Sequence, residues 1–541
     1  MSKVKATAFL VSGLSLPFDA EEKEFIMLAE KKMKRVGVDP AMLHFRLYKR
    51  SVDARKSNDI RLVCTVLAEA DRPFSVDEDR LTANSVRIAK QEDPVVTIGA
   101  ERLGARPLVV GMGPCGMFSA LLLAENGYRP VLIDRGSSVE ERVRSVERFY
   151  REKVLDTATN IQFGAGGAGT FSDGKLVTRI NDPNCNYVLK KLVEFGAPAE
   201  ILTKAKPHVG TDVLRTVVDN ILKKVEQLGG TLRYNCRLDG IRVGRDGTVI
   251  AATSDGDLSC GVAILALGHS ARDTYAMLAE SDFILTPKPF SVGVRIEHLQ
   301  ADIDRAMYGA QAGNPILGPA EYSLSYTKGE RGVYTFCMCP GGEVVAAASE
   351  EGGVVVNGMS HHARNGKNAN AAVAVSVTPR DFGNDVMAGI AFQRKLERAA
   401  YAVGGGNYTA PIQTLGDFME GVVSHEPSRV QPTYMNGNCK VADLSAVLPD
   451  FVVSGLRIGI SSFERQIKGF SDASAVLTAV ETRTSAPLTI NRNERMTAVG
   501  MDRVYPCGEG AGYAGGITSA AVDGIRVALE IMRRFSNDVP Q

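Results

Sequence analysis

The run Leu108-Val109-Val110, followed at once by Gly111-Met112-Gly113-Pro114-Cys115-Gly116, constrains this chain more than any other feature. A short apolar strand feeds glycines spaced G-x-G-x-x-G, and a helical pattern, Met117–Asn126, leaves them with Gly127 as its C-cap. Pro130-Val131-Leu132-Ile133-Asp134 then reads as a second buried strand. Such a βαβ start turns helix N–H groups, and the positive end of the helix dipole, toward a pyrophosphate. Gly113 lets the backbone approach that group, and Gly116 lets helix and strand pack closely. Asp134 ends the second strand about twenty positions after Gly111, where a ribose-binding carboxylate belongs.

The spacing alone is weak, and this chain contains it three times. The set Gly164, Gly166, Gly169 has no convincing strand before it, since Tyr150–Asn160 reads as helical or irregular. The set Gly510, Gly512, Gly515 stands between a strand, Arg503–Pro506, and a helix, Ile517–Phe535. No second strand and no ribose acid follow it before Gln541. Both sets are read as further loops closing over the ligand of the first.

With 541 residues the chain exceeds one compact core. Residues 1–100 read as an α+β accessory domain of ferredoxin-like or split-βαβ type. Its elements are a strand at Val4–Val11, a charged helix at Ala20–Val36 and strands at Leu43–Tyr48 and Ile60–Leu67. The basic stretch Arg50–Lys56 reads as a solvated turn. Residues 101–285 carry the dinucleotide motif, a helix at Thr211–Leu228, and strands at Thr231–Cys236, Ile241–Val243, Val249–Thr253 and Val262–Leu267. From 286 to 495 the pattern is irregular and punctuated by Gly and Pro, as in an inserted α+β substrate or cap domain, and 496–541 return to the first fold.

Sixty-three basic against 62 acidic side chains leave no global field that favours nucleic acid or an anionic membrane. No apolar run reaches the roughly 18 residues that span a bilayer. Nine scattered cysteines do not form a disulfide framework, which points to a reducing, cytoplasmic setting.

Three strings make the chain recognisable: Gly164-Ala165-Gly166-Gly167-Ala168-Gly169-Thr170-Phe171-Ser172-Asp173-Gly174-Lys175, Glu481-Thr482-Arg483-Thr484-Ser485-Ala486-Pro487, and Tyr505-Pro506-Cys507-Gly508-Glu509-Gly510-Ala511-Gly512-Tyr513-Ala514-Gly515-Gly516-Ile517. With them the chain resembles a family of bacterial FAD-dependent dehydrogenases, with a glutathione-reductase-type FAD fold and a small N-terminal domain. The resemblance implies an α/β fold, a Rossmann-like FAD-binding domain and FAD as cofactor, but no substrate. It implies that Gly111, Gly113, Pro114 and Gly116 form the cofactor-binding loop and that Asp134, with Arg135 beside it, binds the adenosine ribose. Gly166, Gly167, Gly169 and Thr170 would line the ribityl and pyrophosphate side, and Cys236-Arg237-Leu238 would lie against adenine. Gly268 closes Ala266-Leu267-Gly268, where Leu stands for the usual Thr. Gly508-Glu509 matches a late Gly-Asp signature, with Glu for Asp. Gly515, Gly516, Ile517 and Thr518 would set a helix N-terminus near the flavin pyrimidine ring.

Flavin brings the redox chemistry, so the protein has to position a reactant and manage protons. Glu481 and Arg483, read as a charged loop, are the catalytic candidates, able to anchor or polarise an acidic substrate; the competing reading is an ordinary surface ion pair. Cys337-Met338-Cys339 reads as strand, with both thiols on one face and packing favoured over redox. Cys115 is expected to face the phosphates. His361-His362, with Arg364 and Lys367, reads as a solvated loop in preference to an anion site, and no metal set is recognised. Three functions follow in order of preference: an FAD-dependent oxidoreductase acting on a small molecule, a flavoprotein serving RNA modification through its N-terminal domain, and a non-catalytic flavin-binding protein.

Overall fold

The computed structural model describes residues 3–90, 93–328 and 331–538. Its nucleotide motif sits in an all-parallel sheet of five three-residue strands, in the order Val504–Pro506, Ala263–Leu265, Leu108–Val110, Val131–Ile133, Thr231–Arg233. Alternation along each strand divides the side chains between two faces. Val109, Leu132, Ile264 and Tyr505 join a core shared with helices. Leu108, Val110, Ile133, Ala263 and Leu265 join another, shared with an antiparallel sheet of Leu238–Val243, Val249–Thr253 and Gly256–Cys260.

The helix leaving the first glycine loop spans Pro114–Glu125 and is buried at every position from Cys115 to Ala124. A helix apolar all round must be covered all round. Thr211–Gln227 and the C-terminal helix Ile517–Arg534 supply part of that cover. Gly524 permits the second contact, because a Cβ there would stand 2.2 Å from the carbonyl oxygen of Cys115. The helix starts three residues before the expected Met117, since a first-turn proline forfeits no hydrogen bond. In the Tyr150–Asn160 stretch, helix Val139–Glu152 ends at Lys153, whose φ of 57° is left-handed, and irregular chain follows.

The segment expected to be irregular holds instead the largest sheet. Seven strands run in the order Ser325–Tyr326, Val333–Cys339, Asn368–Val377, Phe290–Leu299, Val476–Glu481, Ala410–Thr414, Cys439–Val441. Phe290–Leu299 and Asn368–Val377 are buried along nearly their whole length. Strands buried on both faces lack the alternation that reveals a half-buried strand, so their period was hidden.

Residues 3–88 form strand Lys3–Pro17, helix Glu22–Arg35, strands His44–Asp53 and Arg61–Asp77, helix Glu78–Ala83 and strand Val86–Ile88. The antiparallel order His44–Asp53, Arg61–Asp77, Lys3–Pro17, Val86–Ile88 is that of a split βαβ unit. The expected turn at Arg50–Lys56 is strand as far as Asp53. The extension has backbone partners on the main body: Arg50 N–H donates to Thr203 O at 2.6 Å, and Ala205 N–H donates to Arg50 O at 2.8 Å. Among the described residues no helix is long and apolar enough to cross a membrane.

A buried ionic cluster ties the parallel-sheet layer to the seven-stranded sheet. Arg272, at the start of helix Arg272–Ala279, donates to both oxygens of Glu397 at 2.7 and 2.8 Å. Arg483, beyond strand Val476–Glu481, donates to the same two oxygens at 3.1 and 3.0 Å. Burial alone would raise the pKa of Glu397, but the Arg483 and Arg272 guanidiniums outweigh it and hold the carboxyl below the usual range. Glu397→Ala would leave two guanidiniums buried against each other. It should cost about 3–5 kcal/mol, read from denaturant or thermal unfolding; a variant within about 1 kcal/mol of the parent would contradict this role.

Candidate functional site

The five parallel strands end at one cleft. That edge is where open α/β sheets bind ligands, because loops and helix N-termini converge there. All three glycine segments reach it. Gly111, Gly113 and Pro114 come from the first, Gly167 and Gly169 from the second, and Gly515, Gly516 and Ile517 from the third. Asp134, Arg135, Leu238, Gly268 and Glu509 complete that part of the wall.

Asp134 organises the loops. Its Oδ2 accepts the Met112 N–H at 2.8 Å, and its Oδ1 accepts those of Gly136 at 2.9 Å and Gly164 at 3.1 Å. A carboxylate offers about four acceptor sites, so about one stays open on the cleft side. Arg135 is committed elsewhere: it donates to Asp273 at 2.7 Å and Thr274 at 3.0 Å and lies 4.3 Å over the Phe163 ring. At the other end Asp523 accepts the Gly508 N–H at 2.8 Å and a two-armed contact from Arg492 at 2.9 and 2.8 Å. This fixes the turn that presents Glu509. Burial pushes the Glu509 carboxyl up to about 7, against the opposing charge of Lys288.

Several expected contacts are corrected. Gly116 has the packing role expected of it, and Gly166 and Gly508 likewise lie behind the wall. Added Cβ atoms there would stand 1.9 Å from Gly111 O, 2.0 Å from Thr170 Oγ1 and 2.8 Å from Cys115 Cβ, so these glycines serve close packing. Thr170 turns its hydroxyl into the space that Gly166 leaves, away from the cleft. Thr518 also turns away, its hydroxyl donating to Leu176 O at 2.8 Å inside the first turn of its helix. Cys115 lines the cleft, and its Sγ also lies 3.0 Å from the buried Cys507 Sγ.

Glu481 is no loop residue. It ends a wholly buried strand, and its carboxylate receives Arg295 at 2.6 and 3.3 Å away from the cleft wall. Arg483 does line the cleft, but beyond Glu397 its guanidinium serves Ser270 at 3.0 Å and Ser349 at 2.5 Å. A surface ion pair is excluded for both, since they are 2% and 5% exposed. Anchoring an acidic substrate is excluded for Glu481, whose charge is buried and already paired.

The cleft is roofed by Phe336, Cys337 and Cys339 of the seven-stranded sheet, by Thr484 just beyond its strand Val476–Glu481, and by Asn357 of a two-stranded sheet formed by Glu343–Ala346 and Val356–Met359. Cys337 has φ 43° and the pairing register shifts between Phe336 and Cys339, so a bulge replaces simple alternation. Burial pushes the thiols of Cys337 and Cys339 up to about 12 and about 11, which keeps them protonated and poorly nucleophilic near neutrality. Arg364 is not available to an anion, because it forms a two-armed pair with Asp173 at 3.0 and 2.5 Å. His361 is exposed, as a solvated loop requires, while the half-buried His362 stacks on His208 at 5.3 Å and places Nδ1 3.1 Å from Val209 O.

Sequence reasoning missed Asp523, Glu397 and Lys175. Glu397 had one visible signal, as Gln393 and Glu397 are an i,i+4 polar pair on the buried face of helix Ala388–Gly404. Lys175 lines the cleft, donates to Met338 O and lies 3.7 Å from both Asp173 and Glu321.

The site has the room and donors that an extended dinucleotide needs. Cβ atoms added at Gly268, Gly515 or Gly516 would meet nothing within 4 Å, so the backbone leaves open space along the wall. One added at Gly167 would stand 2.9 Å from Gly113 Cα, showing how closely the first two loops approach. The two helices that start here have glycine N-caps, no side-chain cap and no acid in the first turn. Their leading N–H groups are therefore available to an anionic ligand.

Fold and site together define an α/β dinucleotide-binding protein with a mixed-sheet roof over its cleft. Residues 289–484 match the family described as FAD-dependent protein, C-terminal domain-like. A protein of Clostridium beijerinckii (strain ATCC 51743 / NCIMB 8052) is 46% identical over 542 residues, covering 99% of this chain and 100% of that one. Among solved structures, CtdE in complex with FAD has 11% identity over 79% of this chain and 84% of its own, with a TM-score of 0.31. Halogenase PltM has 11% identity over 80% and 71%, with a TM-score of 0.34. The chain belongs to this FAD-dependent protein family, and its cofactor is FAD.

Asp134→Ala removes an acceptor shared by three backbone N–H groups, each loss being worth about 1–3 kcal/mol. FAD should be held at least about tenfold more weakly, measured by equilibrium dialysis of the holoprotein. Unchanged affinity would remove Asp134 from the site.

Proposed function

We propose that this chain is an FAD-dependent oxidoreductase of glutathione-reductase-type fold, acting on a small molecule held between the flavin and the seven-stranded sheet. The observation that carries this reading is the convergence of three glycine segments, Asp134 and Glu509 on one cleft with a separate roof. In this reading residues 101–285 and 496–541 form the FAD domain, 286–495 the substrate domain and 1–100 an accessory domain. All nine cysteines are free, which favours a reducing, cytoplasmic compartment.

FAD would supply two-electron redox chemistry, and the chain's own groups would place it. The open acceptor site of Asp134 suits a ribose hydroxyl, and the N-terminus of helix Pro114–Glu125 suits the pyrophosphate. Gly515, Gly516 and Ile517 bring a second helix N-terminus to the flavin pyrimidine, where its dipole favours negative charge. Glu509 faces the ribityl chain. Phe336 and Asn357 would contact the substrate, with Lys175 the cation able to meet an acidic group on it. Arg483 is a positioning residue, stiffening the wall through Glu397, Ser270 and Ser349.

Protein isolated with its ligand should show the visible flavin spectrum and release FAD on denaturation. Colourless protein that FAD does not reconstitute would end the proposal. An anaerobic screen of small metabolites for flavin bleaching tests the oxidoreductase reading itself. If none bleaches the flavin, and no acceptor reoxidises it after chemical reduction, a non-catalytic flavoprotein is the better account.

NADH or NADPH should bleach the flavin slowly or not at all, measured by anaerobic stopped flow. Among the described residues the five-stranded sheet is the only parallel dinucleotide unit. Rapid stoichiometric bleaching would contradict this.

Glu509 gives a pH test. Below about 7 its carboxyl is neutral, and above it a negative charge appears beside an anionic ligand. FAD affinity should therefore fall as pH rises through about 7, and Glu509→Gln should flatten the profile. A pH dependence that persists in the variant would assign the titration to another group.

A further inference from the structure

A second cleft opens where the sheet of residues 3–88 faces the segment 176–207. Domain junctions of this kind are common ligand sites, because two independently folded surfaces rarely fill the space between them. Tyr48, Thr178 and Asn181 line the walls beside apolar side chains: Ile88 comes from the sheet, and Val177, Ile180 and Leu202 face it. These last three are 54, 38 and 41% exposed. Apolar side chains gathered in one groove, rather than scattered singly, mark an interaction site.

The rim is basic. Lys49 and Arg87 are both exposed, and among the described residues neither has a carboxylate within ion-pair distance. Asp182, the acid on this rim, is already engaged by Arg526 and by the Asn184 N–H at 2.8 Å. A chain whose formal charge is only +1 therefore has a local surplus of positive charge beside open apolar surface.

The groove also shares a wall with the flavin cleft. Lys175 lines the flavin cleft and Leu176 the groove; Ile517 lines the flavin cleft and Thr518 the groove. The two segments are joined by the hydrogen bond from Thr518 Oγ1 to Leu176 O, 2.8 Å long. A body seated against Leu176 would press on the strip that carries Lys175 and on the helix start that carries Ile517.

We propose that this groove is a second ligand site, for a small molecule with an apolar body and one anionic group. Its occupancy is transmitted to the flavin through the strip joined by Leu176 and Thr518. The inference requires bound FAD as a reporter but no particular reaction, so it stands or falls separately from the oxidoreductase reading.

Decanoate is a suitable probe, titrated into FAD-loaded full-length protein by calorimetry while the visible flavin band is followed. Saturable one-to-one binding is expected, with a flavin band change of the same midpoint. The double variant Lys49→Glu/Arg87→Glu should weaken binding at least tenfold, and Val177→Trp, which fills the groove, should abolish it. All three changes are at exposed side chains, and retained FAD reports that each variant is folded. Decanol, lacking the charge, and inorganic phosphate, lacking the body, should each bind at least tenfold more weakly than decanoate. Absence of saturable decanoate binding, or equal affinity in parent and variants, would overturn the site. Decanol binding as tightly as decanoate would overturn the anionic requirement. An unmoved flavin band at saturation would overturn the coupling.

Discussion

The carboxylate of Asp134 is the interaction on which the rest of the site depends. One side chain accepts N–H groups from Met112, Gly136 and Gly164, which lie in three different loops. Backbone donors at a strand edge are costly to bury unpaired, so a buried acceptor that satisfies three of them fixes the loops together. Asp523 repeats the device at the far end, holding the Gly508 N–H while Arg492 neutralises it. Between the two anchors, the glycines leave the space that an elongated ligand occupies.

The roof is attached by different physics. Arg272, Glu397 and Arg483 are nearly devoid of solvent, and each depends on the others for its charge to be tolerable. Such a cluster need not add stability over an apolar contact of the same volume, but it penalises any other arrangement of the two layers. Arg295 does the same within the roof. It spans Glu481, Asn370, Asn357 and Cys337 O, and so explains why Glu481 cannot act on a substrate. Lys175, which donates to Met338 O and lies 3.7 Å from both Asp173 and Glu321, is a further cation on the cleft wall.

Local order made part of this readable. The strand-loop-helix-strand around Gly111–Asp134 follows from short-range rules of capping, glycine geometry and spacing, and so does helix Thr211–Gln227. Thr170 and Thr518 were misplaced because spacing says which loop a residue is in, not which way its hydroxyl points. Glu481 reads locally as a loop residue, because a charged residue at the end of a wholly buried strand is visible as such only when its partner, Arg295, is known. The seven-stranded sheet was missed for a related reason: strands covered on both faces show no period of two.

The sequence by itself determined the nucleotide motif, the cofactor it serves and the order of the segments that build the cleft, because each depends on residues close together in the chain. Only the tertiary structure decided which glycines face the ligand and which face one another, and which charges are spent on holding layers together. It alone placed residues 3–88 beside the segment 176–207 to leave a groove with a basic rim. Those outcomes depend on contacts between residues hundreds of positions apart, such as Cys115 with Cys507 and Arg295 with Glu481. Pairings at that range follow from how whole layers stack, and no local pattern encodes them.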